Sequence, residues 1–491
     1  MLFKNSNYTL ASGIFIRCIG VIYLIAFISF LVQYEGLIGS GGIAPLDRYL
    51  DSLRLNLGSK AYWLVPCINW LNSTEIFLYW QLVISIVFSI LLIMGILPIF
   101  SSIVVWISYL SIVSIGQVFM SFQWDVLLLE AGFLTIFISP LKLYSGPSSD
   151  KSPHILFVFL FRLLLFKLMF SSGIGKILSG DDTWRDLTAL NFHYFTQPLP
   201  NTVSWYIHQL PQWFHKISAA IMLFIEIIVP FFFFAPRRLR YIAGFLTIFL
   251  QIIIFATGNY TFFNLLAVSL CLFLFDDSFF RSANKNTNLI LKDDENSFSG
   301  KSAKIKTIAL SAFVFIIFSL NIIQFSRRYL GLRDLPQVVS HVVRYTSSFH
   351  LVNNYGLFTV MTTSRPEIII EGSNDGRNWK TYEFNYKPGD LKGGVYFVAP
   401  HQPRLDWQMW FAALGDYRRN PWFVNFMYRI SEGSPKVLAL LKDNPFPKNP
   451  PKYLRAQVYD YTFTNNKERS ETGDVWKRTY TRYYMPVLTN R

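Results

Sequence analysis

Long runs of apolar residues, separated by short polar breaks, dominate the first two thirds of the chain. A hydrocarbon layer about 30 Å thick takes about 20 helical residues to cross, and backbone cannot face lipid unpaired, so such runs predict membrane-spanning helices. Nine stretches qualify or come close: residues 14–32, 76–96, 100–119, 124–138, 155–174, 217–234, 241–257, 262–275 and 307–323. The fourth and eighth are short for a full crossing, which leaves a re-entrant or tilted course open to them. Residues 33–75 and 175–216 form two long loops, richer in Gly, Pro, Asn and Trp than plain connectors need to be. Residues 276–306, polar and mixed in charge, read as a linker.

From residue 345 the pattern changes to short alternating strands. Residues 367–371 and 380–386 flank Asn374, Asp375 and Gly376, a hairpin signal because Asp-Gly tolerates positive φ. A second hairpin joins residues 453–464 to 475–484. Between them, 405–414 and 421–430 read as amphipathic helices, and Ser434 is placed to cap a third with Pro435 in its first turn. The expected architecture is a polytopic α-helical membrane bundle over residues 1–325, followed by a soluble C-terminal domain over residues 326–491. That domain is expected to be a small β-sandwich with helical insertions.

Composition agrees with a chain whose solvent is not water alone: 52% of its 491 residues are hydrophobic, 18% aromatic, and the mean hydropathy is +0.32. Charge supplies an orientation, since basic loop residues are retained on the cytoplasmic side. With the N-terminus inside, the inner segments hold twelve basic residues: Lys4, Lys142, Lys151, Arg237, Arg238, Arg240 and six more between Arg281 and Lys306. The outer loops hold six: Arg48, Arg54, Lys60, Lys176, Arg185 and Lys216. The tail is therefore expected outside. The first apolar stretch lacks a small-residue cleavage site and reads as an anchor. Cys18, Cys67 and Cys271 build neither a disulfide framework nor a CxxC site. From Ser326 onward 24 basic residues face 14 acidic ones, which places ten of the fifteen net positive charges in the tail. A basic surface tethered to a membrane, without a nucleic-acid-binding signature, points to membrane lipids or an acidic protein client and away from nucleic acid.

Arg17, Asp125, Glu130, Arg162, Lys167 and Glu226 lie within or at the edge of spans, where an unpaired charge costs several kcal/mol. Glu130, Arg162, Lys167 and Glu226 are read as an intramembrane polar network. Glu130, Lys167 and Glu226 fall at similar depth, near enough to pair. A structural network that locks the bundle is the commoner arrangement, and a polar cavity opening outward is the sharper alternative. After the fifth span, residues 170–190 (FSSGIGKILSGDDTWRDLTAL) combine small residues suited to close helix packing with a lysine at the helix mouth. Lys176 snorkels to the interface in the plainer reading and serves as a base in the other. Ser172, Gly173, Lys176 and Trp184 give this stretch a local resemblance to the vitamin K-dependent gamma-carboxylase group of membrane enzymes.

Residues 401–415 (HQPRLDWQMWFAALG) are the most information-rich run of the tail. Trp407, Trp410 and Phe411 at helical spacing more often make a core than a binding face. Arg404 and Asp406 are suited to pinning loops through hydrogen bonds. A catalytic use of His401 with Asp406 lacks a nucleophile. The chain holds no GxSxG, no HExxH and no paired metal-ligand spacing, and its seven histidines are scattered, so no metal and no cofactor is expected.

PRLDWQMWFAALG (403–415), Pro421, Trp422 and Phe423, NPFP (444–447), PPKYLRA (450–456), Trp476, Arg478 and Tyr484 together resemble the lipase maturation factor family. GLIGSGGIAP (36–45), WDVLLLEAGF (124–133) and NFHYFTQPLPN (191–201) extend the resemblance over nearly the whole chain. It implies a polytopic membrane protein, best known in the ER, that helps secreted lipases fold and assemble and engages them through its C-terminal region. The tail has no N-x-S/T sequon, the sequons lying at Asn7, Asn72 and Asn259, and no retrieval signal ends the chain. A bacterial-type member is therefore expected, in an inner membrane with its tail in the periplasm, or in the ER membrane if eukaryotic. The expected function is a non-enzymatic folding factor for exported proteins, with Arg404, Asp406, Trp407, Trp410, Trp422 and Phe423 as candidate client-binding residues. The alternative is a membrane-embedded enzyme with Lys176 as base, and a third reading, a ligand binder, rests on the buried charges alone.

Overall fold

Gly95 (φ +75°) ends one membrane-length helix and Pro98 starts the next, a tight reversal typical of how this chain folds its apolar runs into a bundle. The computed structural model describes residues 7–148, 152–283, 301–332 and 334–489. The helices of the bundle are α1 (Thr9–Leu31), α2 (Glu75–Met94), α3 (Pro98–Ile115), α4 (Gln123–Ile138), α5 (Ile155–Leu178), α6 (Gln212–Ile227), α7 (Arg237–Thr257), α8 (Phe263–Cys271) and α9 (Lys301–Tyr329). Among the described residues seven are long and apolar enough to cross a membrane, counting α6 together with the 3-10 turn Val229–Phe234 that follows it. Pro230, which lacks an amide N–H, sits where α6 gives way to that turn.

The two shorter helices, α4 and α8, are the fourth and eighth expected spans. Their burial explains how they persist in an apolar bundle. Residues 127–132 of α4 are all buried, and a Cβ on Gly132 would lie 2.0 Å from the Tyr23 hydroxyl, so only glycine lets α1 pack this close. Phe15, Phe161 and Phe273 join α1, α5 and the 3-10 turn that follows α8, the last two stacked with centroids 4.3 Å apart.

Two sets of turns gather at opposite ends. At one end Leu97 N–H donates to Leu143 O (2.8 Å), Ser145 N–H to Gly95 O (2.9 Å), and Asp277 N–H to Asn7 O (2.9 Å). Asp277 in turn accepts the N–H groups of Thr9 and Leu10 in the first turn of α1, and Asp276 takes Arg240 at 2.9 Å. The linker expected at 276–306 thus begins with buried, bonded residues and a helix, Asp277–Ala283. Lys4, Lys151 and residues 284–300 lie outside the described residues. At the other end the two long loops meet the tail: Ser434 Oγ donates to Gly41 O (2.9 Å) and Thr202 Oγ1 to Val395 O (2.8 Å).

The tail carries one antiparallel sheet of β1 (Pro366–Ser373), β2 (Lys380–Thr381), β3 (Tyr453–Phe463) and β4 (Trp476–Thr489), in the order β2-β1-β3-β4. Both expected hairpins are present, the first turning at Gly376 (φ +71°). Among the described residues the expected β-sandwich is not. Ile368, Ile370, Ala456 and Val458 pack on helices α10 (Arg404–Ala413) and α11 (Pro421–Ser431). Ile369, Tyr461, Phe463 and Trp476 pack on Leu190, Tyr194, Phe195 and Trp205 of the long loop after α5. Helices and a loop cover both faces where a second sheet was expected, because the covering residues come from far along the chain.

Candidate functional site

Within residues 403–415 lies α10, and its side chains fasten the tail to the bundle. The Arg404 guanidinium makes a two-pronged contact with Asp125 of α4, at 3.0 Å to each carboxylate oxygen, and donates to Phe119 O at 2.6 Å. Tyr109 adds a hydroxyl donor to Asp125 at 2.6 Å. Arg404 and Asp125 are fully buried, so each neutralises a charge that the other could not leave unpaired. Asp406 accepts the backbone N–H of Tyr386 and Lys387, both at 2.9 Å, and burial pushes its carboxyl up to about 6 against those two donors. Trp407 packs on Trp124 with ring centroids 4.8 Å apart, Trp410 Nε1 donates to Thr196 O (2.8 Å), Trp422 meets Phe119 and Phe423 meets Tyr484. All six expected client-binding residues are buried. They pack against the bundle and the rest of the tail, the core use that helical spacing makes the commoner one.

The charges at membrane depth resolve into separate arrangements, where a single network of Glu130, Arg162, Lys167 and Glu226 was expected. Lys167 donates to Glu130 Oε1 at 2.5 Å, while Glu130 Oε2 accepts from the Tyr355 hydroxyl (2.7 Å) and from Asn353 N–H and Nδ2 (3.1 Å each). Arg162 donates to Phe273 O (2.9 Å) and to the Tyr8 hydroxyl. Glu226 pairs with Lys176 at 2.7 Å and not with Lys167. Lys176 also donates to Ser172 O (3.2 Å), and its ammonium lies 5.3 Å from the centre of the Trp184 ring. The expected snorkel to the interface does not occur, since Lys176 is buried. Gly173 makes the pairing possible: a Cβ there would lie 2.8 Å from Glu226 Cβ, so its absence lets α5 and α6 close on each other.

The Lys176–Glu226 pair borders a cavity of about 340 Å³. Its walls are apolar, with Leu168, Met169, Ile225, Leu250, Phe263 and Phe358 among them, and its few polar groups are Ser172, Lys176, His193, Glu226, Gln251, Tyr260 and their neighbours. His193 stands on the short helix Leu190–Thr196, inside the NFHYFTQPLPN run. Gln197 Nε2 donates to Tyr194 O and Thr257 O, which leaves Gln197 Oε1 to accept the Tyr260 hydroxyl at 2.8 Å. With its one proton spent, Tyr260 accepts from His193 Nε2 at 3.1 Å, and the network assigns the bare lone pair to Nδ1. That Nδ1 is buried with no hydrogen-bond partner among the described residues. Burial, and then the nearby Lys176 charge, hold the imidazole down to about 4, so it is neutral at pH 7.

Sequence reasoning singled out Lys176 and Glu226 but passed over His193, Tyr260 and Arg365. The signal for His193 was its place in a long family-like motif. Arg365, fully buried, donates to Pro198 O (2.8 Å) and to the carbonyls of Phe195 and Gln197, and pairs with Glu367 at 2.8 Å, clasping that motif from the tail. Cys18, Cys67 and Cys271 are unbridged, and among the described residues no group of three His, Cys, Asp or Glu is placed to hold a metal.

Residues 10–282 match the model of the lipase maturation factor transmembrane domain, and residues 351–486 match that of the lipase maturation factor C-terminal domain. The chain is 32% identical to "Lipase maturation factor 2" of Xenopus laevis, an alignment covering 98% of this chain and 83% of the relative. Identity to "Lipase maturation factor 2" of Gallus gallus is 34%, over 97% and 81% respectively. For "Lipase maturation factor 1" of Bos taurus it is 32%, over 99% and 90%. No solved structure matches. The buried joint, the cavity and the loops that build them all fall in regions matched by the two models, and the chain belongs to the lipase maturation factor family.

Proposed function

We propose that this chain is a membrane-anchored maturation factor for exported lipases, its tail engaging the client on the extracytoplasmic side. The observation that carries the reading is the match to both family domains, with relatives named for lipase maturation aligned over nearly the whole chain. Nine crossings with the N-terminus inside accord with the gathering of alternate turns at opposite ends of the bundle. A bacterial inner membrane or an ER membrane would each put the tail where exported proteins fold.

The client surface suggested by the fold lies away from α10. β4 is an edge strand, and its residues 477–483 are exposed throughout, among them Arg478, Tyr480, Arg482 and Tyr483. An unpaired edge accepts an extended segment by main-chain hydrogen bonding, and the flanking arginines and tyrosines suit an acidic or partly folded client. The test is co-expression of a secreted lipase with the chain carrying Tyr480→Ser and Tyr483→Ser, reading lipase activity per unit of lipase antigen. A fall of several-fold at unchanged level of the chain is expected, and unchanged specific activity would remove β4 as the client surface. A second reading, an enzyme with Lys176 as base, is favoured by the cavity beside that residue but opposed by its commitment to Glu226. Lys176→Ala with unchanged lipase maturation and no loss of any turnover would end it.

A further inference from the structure

We propose that the helix Gln337–Ser348 lies in the membrane surface, with Val338, Val342 and Tyr345 seated in the lipid leaflet on the tail side of the bundle. The tail then has a second attachment, made to lipid where that of α10 is made to protein.

The helix divides its residues among three faces. Val339, Val343 and Thr346 recur at i, i+4 and i+7; Val343 is buried and Val339 packs on the core. Gln337, His341, Arg344 and Ser348 repeat at the same spacing and make a polar face. Val338, Val342 and Tyr345 make the third, apolar like the first but 75%, 42% and 46% exposed. A helix lying between protein and water needs one apolar face and one polar face. A second apolar face, turned away from the protein core, suits a helix with lipid on that side.

The segments flanking the helix fix its depth. α9 belongs to a segment long and apolar enough to span a membrane, it ends at Tyr329, and residues 330–336 are all that separate it from the helix. The Tyr329 hydroxyl donates to Ser171 O of α5 at 3.0 Å, which ties this end to a second spanning helix. Beyond the helix the chain turns back into the bundle. Gln324 Nε2 donates to Val352 O (2.8 Å) and Asn354 Nδ2 to Gln324 Oε1 (2.9 Å), while Asn353 N–H reaches Glu130. Gln324 stands five residues before Tyr329 in α9, about 7 Å deeper, and residues 349–351 alone separate the helix from Val352. A helix of 12 residues, about 18 Å long, is thus held at both ends by groups at membrane depth.

Trp63 supplies a neighbour of the same character. It lies in the long loop before α2, is 60% exposed, and meets Tyr345 with ring centroids 6.3 Å apart. Exposed Trp and Tyr side by side are what a membrane–water boundary favours, their rings apolar and their tips polar.

The test uses the unaltered full chain in phosphatidylcholine nanodiscs doped with a phosphatidylcholine that carries a carbene-generating diazirine in its acyl chain. After photolysis, peptide mass spectrometry reads lipid adducts residue by residue. Ile252, 57% exposed on α7, is the lipid-facing reference, and Tyr480 of β4 is the water-facing one. Adducts at Val338, Val342 and Tyr345 are expected within about threefold of Ile252, and about tenfold above Tyr480 and above Ser340 on the far side of the helix. Adducts no more frequent than at Tyr480 would overturn the proposal, whether water, a client or a second copy then covers the stripe. Val342→Asp should cut labelling of the helix several-fold while labelling of Ile252 holds; unchanged labelling would overturn the seating of the stripe. Neither measurement reads lipase activity, so the inference stands or falls separately from the maturation reading.

Discussion

Glu130–Lys167 and Lys176–Glu226 share one chemistry, a carboxylate and an ammonium within 2.7 Å at membrane depth, in opposite surroundings. Around Glu130 the protein leaves a void of only about 10 Å³: Tyr355 and Asn353 come down from the tail to occupy the oxygen that Lys167 leaves free. Around Lys176 the protein stops short, leaving a void on one side and an unsatisfied imidazole nearby. The comparison separates two uses of buried charge. A pair saturated by its own protein fixes one packing, whereas a pair beside empty space retains a capacity for something else.

The strongest way to break the comparison is to strip one charge from a saturated site. Asp125→Ala leaves Arg404 buried and unpaired, and thermal unfolding of the purified chain is expected to show a loss of about 3–5 kcal/mol. Lys167→Met should cost a similar amount, and the double change of Glu130→Leu with Lys167→Met should recover much of it. Lys176→Met is the sharpening case: water or a lipid head can reach Glu226 through the cavity, so the loss should be nearer 1–3 kcal/mol, roughly the desolvation cost of one polar group. Equal losses for Lys167→Met and Lys176→Met would erase the distinction.

Acid provides a smaller effect with a defined sign. Burial first, with nearby positive charge second, holds His193 and His401 down to about 4 from an ordinary value of 6.5. The unfolded chain therefore binds these protons more readily, and the stability they contribute is lost as pH falls from about 6.5 towards 4. Asp406, raised to about 6, acts the other way: its contribution is full below its ordinary value and is lost as pH rises through 6. Unfolding midpoints measured between pH 4 and 7 should fall on the acid side, and His193→Gln should flatten the slope while Asp406→Asn steepens it. Least of all, Tyr480→Ser with Tyr483→Ser should shift stability by no more than about 0.5 kcal/mol, both being exposed.

What could be read from the chain beforehand was local. The apolar runs, the Asn374-Asp375-Gly376 hairpin and the helix from Pro421 each depend on neighbours within a few residues, and each stands where expected. What could not be read was partnership. Arg404 finds Asp125 across 279 positions and Asn353 finds Glu130 across 223, and no spacing rule reports such a meeting. The two readings left open for α10 have the same origin. Trp407 and Trp410 were legible as an apolar stripe, but whether a stripe faces a core or a client depends on what lies opposite, here Trp124 and Thr196. His193 was hidden for a further reason: its interest lies in an unoccupied lone pair, which exists only once Gln197 and Tyr260 have taken their places.

The stitching of tail to bundle also bears on how the chain is made. Asp125 and Glu130 enter the membrane early in synthesis, while Arg404, Tyr355 and Asn353, which complete their shells, leave the ribosome more than two hundred residues later. Through that interval the bundle carries two incompletely satisfied carboxylates. A chain halted before its tail would keep them, and would present to membrane quality control the polar interior by which unfinished proteins are told from finished ones.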